Sequence, residues 1–149
     1  MVLLTATFVI VTLSLFIQFL VLFLVAYGYV SYRRFNLPKH GRVMAWAVFV
    51  QVVAVFAIMV PSFVAAVFPD YIVVKPFELT SVVSLFHEVT GGLALALGVW
   101  FVAAWRFRPN FAGCFGRRRL MLATMVVWLI ALLFGITLYS IFNWAVLMG

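Results

Sequence analysis

The chain reads as an all-α polytopic membrane protein, a single domain (residues 1–149) of four transmembrane helices running up and down through one bilayer. Three observations give that reading. Hydrophobic residues make up 68% of the chain and charged residues only 9%, where a soluble domain carries about a quarter charged. The mean hydropathy is +1.29, so the chain cannot hide its apolar surface in an aqueous core, and lipid must be its solvent. Finally, the apolar residues fall in four runs long enough to cross about 30 Å of hydrocarbon, which takes about 20 residues as helix.

The first run covers residues 3–32. The stretch "MVLLTATFVIVTLSLFIQFLVLFLVAYGYVSYRR" has no basic n-region, and its apolar length far exceeds the roughly 7–15 residues of a signal-peptide core. It reads as a retained span stopped by Arg33 and Arg34. The second run covers 43–68. Pro61, in "IMVPSF", removes an amide near its outer end, so a kink or an early end is expected there, with Ser62 or a neighbouring helix re-satisfying the freed carbonyl. The third run covers 79–105 and the fourth 120–148. None of the four shows the alternating polarity of barrel strands. Open backbone cannot lie in lipid, so each run is expected to be a helix. Pro38, Pro69, Pro76 and Pro109 are all expected in loops, where proline marks boundaries.

The net charge of +7 invites a nucleic-acid partner, but its distribution argues for topology instead. Loop 33–42, "RRFNLPKHGR", carries four basic residues; loop 106–119, "RFRPNFAGCFGRRR", carries five and no acid. The loop between the second and third runs sets Lys75 against Asp70 and Glu78. By the positive-inside rule, loops 33–42 and 106–119 face the cytoplasm of a cell membrane, leaving both termini outside. The single cysteine, Cys114, excludes an internal disulfide and reads as an idle thiol in a basic loop. The two basic loops echo each other, each running from Arg-Phe to Arg-x-Met. A duplicated helical hairpin and a shared charge rule both account for this.

The third run carries the polar residues. At 3.6 residues per turn, Thr80, Ser84, His87, Gly91, Ala94 and Gly98 form one face of small and polar side chains, with Leu85, Leu93 and Trp100 off it. Close helix packing explains the small residues, with Ala94/Gly98 and Gly92/Ala96 as seams. It does not require a histidine. His87 lies roughly 12 Å in from the outer end of its helix, and Glu88 follows it. A carboxylate in hydrocarbon is costly and belongs in the bundle interior, protonated, paired or wet. Gln18 falls at nearly the depth of His87, and Ser62, Thr137, Tyr139 and Ser140 also collect toward that end, with Gln51 the exception.

Three uses of this cluster compete. His87 could ligate a haem iron, with Gly91 leaving room for the porphyrin edge. It could ligate copper with Met59. Or His87 and Glu88 could close a polar network that fixes helix register. His40 lies on the opposite membrane side, about 20 Å or more from His87 along the bundle, so one chain cannot clamp one haem between them. The plainer role for His40 is an interfacial histidine near headgroups. No phosphate-binding glycine loop, HExxH, CxxC or Ser-His-Asp spacing occurs. The chain is therefore not expected to be an enzyme, and no catalytic residue or metal site is assigned.

Three stretches carry a family resemblance: "KHGRVMAWAVFVQVVAVFAIMVPSF", "HEVTGGLALALGVWFVAAWRFRP" and "RRRLMLATMVVWLIALLFGITLYSIF". They resemble an uncharacterised family of small four-helix membrane proteins that includes an assembly factor for haem-A terminal (cytochrome c) oxidases. The matching positions are His40, Arg42 and Met44; His87 and Gly91; and Trp128, Gly135 and Tyr139. The resemblance implies a role in maturing, or supplying haem to, a respiratory oxidase, with His40, His87, Glu88 and Gly91 as candidate cofactor contacts. The chain has two histidines where the family pattern carries more, which favours a scaffold or chaperone over haem ligation by one subunit. The alternatives are a small structural subunit of a membrane complex and a b-haem carrier sharing ligands in a dimer.

Overall fold

In the computed structural model, which describes residues 2–106 and 117–148, the chain is an all-α bundle. Helix α1 spans Val2–Arg33. At 1.5 Å per residue its 32 residues reach about 48 Å, so its ends extend past the hydrocarbon. Helix α2 spans Leu37–Ala54 and runs on through π-helical Val55–Met59 (π1), a single α turn at Val60–Ser62 (α3) and π-helical Phe63–Val73 (π2). Helices α4 (Leu79–Arg106) and α5 (Arg118–Met148) complete the bundle. Among the described residues, four stretches are long and apolar enough to cross a membrane.

The turn between α1 and α2 is tighter than a loop over 33–42. Phe35 takes a positive φ of 56°, and the Asn36 side chain accepts from the Lys39 amide at 3.2 Å. This caps a helix that starts at Leu37 with proline in its first turn, where the missing proline amide costs nothing. Pro38, Lys39, His40 and Arg42 are therefore helical.

The second span neither ends early at Pro61 nor stops at 68. Val60 donates its amide to Val55 O, five residues back. This widened turn sits just ahead of Pro61 and takes up the missing amide and the ring's clash with the preceding carbonyl. Pro69, expected in a loop, lies inside π2. Pro76 lies in the short link to α4, whose start is braced by Ser81 Oγ donating to Lys75 O at 2.7 Å. Pro109 and Cys114 lie outside the described residues, as does most of loop 106–119.

Sequential spans are neighbours. α1 packs on α2, α2 on α4, α4 on α5, and α5 closes the ring on α1. The deepest core is small, formed by Val21, Val25 and Ala47 with Ile17, Leu24, Met44, Met125 and Trp128 against it. Many of the large apolar side chains point outward instead, Phe16, Phe23, Trp46, Phe56 and Leu133 among them, as expected where the outer solvent is lipid. Four hydroxyls in the spans return to their own backbone: Ser31 to Tyr27 O, Thr124 to Leu120 O, Thr137 to Leu133 O and Ser140 to Ile136 O. That bond meets their polarity without needing water.

Glycine sets two of the close approaches. The Trp105 ring of α4 lies where a Cβ on Gly41 would stand, 2.5 Å away, and the Met44 sulfur lies 2.8 Å from a Cβ on Gly28. Ala94 is buried and a Cβ on Gly98 would meet Val48 and Trp128, so the Ala94/Gly98 seam forms. Gly92 and Ala96 are exposed and form no seam.

Candidate functional site

The polar face of α4 turns inward as its periodicity requires. Thr80, Ser81 and Ser84 are buried, His87, Glu88 and Gly91 half-buried, and Leu85, Leu93 and Trp100 exposed. Beside it lies a cavity of about 150 Å³ to which all four spans contribute. Its polar lining comprises Ser14 and Gln18 from α1, Ser62 from α3, His87 and Glu88 from α4, and Tyr139 from α5. Apolar side chains, Met59 and Leu132 among them, form the remaining wall.

His87 is held across the α4–α5 seam. Its Nδ1–H donates to Ala131 O at 2.8 Å. Gly135, the next turn of α5, makes room for the ring: a Cβ there would come 3.0 Å from His87 Cε1. Because a carbonyl can only accept, Nδ1 carries the hydrogen, and Nε2 is the nitrogen left to accept a proton or bind a ligand. Glu88 shares the cavity but makes no hydrogen bond or ion pair with any described residue; among these, Lys75–Glu78 at 3.4 Å is the one ion pair. Among the described residues, neither the buried Nε2 of Gln18 nor the buried Oγ of Ser84 has a hydrogen-bond partner. Such groups ask for water or a ligand.

Of the residues expected in the site, His87, Glu88, Gln18, Ser62 and Tyr139 converge. Tyr139 also reaches Thr12, its hydroxyl 3.4 Å from Oγ1. Thr137 and Ser140 do not line the cavity and bond to their own helix. Gly91 faces open space: a Cβ there meets nothing within 4 Å, so it is not a seam residue. Gln51 is buried, its Oε1 unpartnered. His40, read from the sequence as an interfacial histidine, is buried within the bundle. It is 7% exposed, donates Nδ1–H to Gly28 O at 2.8 Å and packs against Tyr32 with ring centroids 5.6 Å apart. It lines a different cavity, at the opposite end of the bundle. The partners that sequence reasoning did not supply are Ala131 O and the notch at Gly135. The glycine was visible in "LFGITLY", but its pairing with His87 depends on how two helices rotate against each other.

Chemically, the site offers one carboxyl, one imidazole nitrogen, one thioether (Met59) and several hydroxyl and amide groups. No group of three or more His, Cys, Asp or Glu side chains placed to hold a metal occurs among the described residues. The cavity also falls below the roughly 300–1,000 Å³ of pockets that enclose drug-sized ligands. It suits waters, protons or a small polar group, and a porphyrin would enter only if the helices parted.

Comparison of the chain with protein-family models, with curated proteins and with solved structures finds no match.

Proposed function

We propose that this chain is a non-enzymatic membrane protein that assists a haem-containing respiratory complex, a terminal oxidase, during its maturation. The His87–Glu88 cavity is its working part. The observation that carries this reading is the convergence of polar groups from all four spans on one small cavity inside the membrane, with an imidazole fixed there by Ala131 O. Ionisable groups at such depth are expensive and serve function by default. The oxidase as partner is supported by the resemblance of the three quoted stretches. In this reading the chain does not enclose haem. It acts as a chaperone that presents Nε2 and a carboxyl to a proton or to a ligand shared with its partner. The cavity opens toward the outer half of the cell membrane, by the charge asymmetry of the loops.

Glu88→Leu tests it. Removing a carboxyl from hydrocarbon relieves a cost of about 2.5–3.5 kcal/mol on insertion scales for a charged side chain at mid-helix, so the variant should insert and accumulate at least as well as the parent. Oxidase activity in host membranes should nevertheless fall several-fold, and His87→Ala should act in the same direction. Unchanged oxidase activity in both variants would remove the proposal.

A further inference from the structure

At the end of the bundle opposite His87 lies a second cavity, of about 130 Å³. Val48, Val102, Trp105 and Trp128 give it apolar walls, while Arg117 and Arg118 stand in its lining where α5 begins. An apolar cavity offers water too few partners and is filled by an apolar group instead. The charges at its rim ask for the opposite. In the sequence, segments 33–42 and 106–119 carry nine of the ten Lys and Arg residues and none of the three acids, Asp70, Glu78 and Glu88. No described arginine has a carboxylate partner. Arg117 instead lies over the Trp100 ring, 4.8 Å from its centroid, which fixes its guanidinium beside the cavity. Apolar walls below and guanidinium groups without a carboxylate above are complementary to the two halves of an amphipathic anion, and basic pockets between spans bind acidic headgroups in this way.

We propose that this cavity binds one anionic phospholipid of the surrounding bilayer, with its phosphate at Arg117 and Arg118 and an acyl chain between α2, α4 and α5. The site is separate from the His87 cavity and does not depend on the function proposed for it.

Native mass spectrometry of the full-length protein, released from detergent micelles and titrated with phosphatidylglycerol or phosphatidylcholine, tests the proposal. One phosphatidylglycerol should remain bound under conditions that strip phosphatidylcholine. Arg117→Gln together with Arg118→Gln should weaken its retention by about 30-fold, as expected for two charges near an acidic headgroup. Val102→Phe, which fills the apolar part and leaves both arginines, should also weaken it. Lys75→Gln, at the far end, should not. Equal retention of the two lipids, or undiminished phosphatidylglycerol binding in the double arginine variant, would overturn the proposal. So would full displacement by millimolar inorganic phosphate, which would mean a simple anion site. The arginine pair lies at the helix start rather than in the core, so that arm stays informative even where Val102→Phe fails to fold.

Discussion

A Cβ on Gly135 would stand 3.0 Å from the His87 ring, whereas one on Gly91 would touch nothing within 4 Å. The two glycines therefore make opposite predictions for the same substitution. Alanine is the better helix former by about 1 kcal/mol, so Gly91→Ala should leave stability unchanged or raise it by up to about that amount. At Gly135 the same gain is set against overpacking, which costs about 1–3 kcal/mol, and against any lengthening of the His87–Ala131 bond. Gly135→Ala should therefore be less stable than Gly91→Ala by about 1 kcal/mol or more. Unfolding both proteins in the same detergent checks this, and equal midpoints would mean that the notch does not hold the imidazole. Period alone made the polar face of α4 legible in the sequence, as far as which residues look inward. The bond from His87 to a carbonyl 44 residues away was not legible, because nothing local encodes the rotation that brings Gly135 under the ring.

The second span shows how an element can keep its length while changing its winding. Its apolar run is visible in the sequence, and so is the proline that interrupts it, but widening into π turns changes neither composition nor hydropathy. A helix that loses one amide in lipid must stop, kink or rewind, and this one rewinds at Val55–Met59. Rewinding also sets the direction in which Met59 and Ser62 face the His87 cavity. Pro61→Ala restores the amide and removes the ring. It should let the π turn revert to α, slow amide hydrogen exchange over residues 57–62, and rotate Ser62 away from the cavity. Stability should rise by about 1 kcal/mol or more, since proline is disfavoured by about 3 kcal/mol in a helix interior, while the function proposed above requires oxidase activity in the host to fall as for Glu88→Leu. Faster exchange over those residues would show that the proline stabilises the widened turn rather than forcing it. The start of α2 was missed for a related reason. "RRFNLPKHGR" is charged enough to look like a loop, yet its Asn-x-Pro pattern is a helix cap, and the capping geometry outweighs the composition.

Across the whole molecule the two histidines occupy separate cavities at opposite ends of one ring of helices, with the apolar cluster of Val21, Val25 and Ala47 in the bundle core. Each imidazole donates Nδ1–H to a carbonyl of the adjacent helix, His40 joining α2 to α1 and His87 joining α4 to α5, while all four spans line each cavity. Charge in the sequence predicts which cavity faces which side of the membrane: segments 33–42 and 106–119 carry nine basic residues and no acid, and the stretch before α4 sets one lysine against Asp70 and Glu78. Because Lys and Arg near span ends are retained on the cytoplasmic side, both termini and the link between π2 and α4 should be outside. A phosphatase that folds only outside the cytoplasm should be active when fused after Gly149 and inactive when fused after Arg34. A fluorescent protein that matures only in the cytoplasm should give the reverse pattern. Replacing Arg33, Arg34, Lys39 and Arg42 with glutamine should weaken that preference and yield a mixed population, since the five basic residues after Trp105 would then orient the chain alone. A phosphatase silent at the C-terminus of the parent chain would invert the topology and place the His87 cavity on the cytoplasmic side.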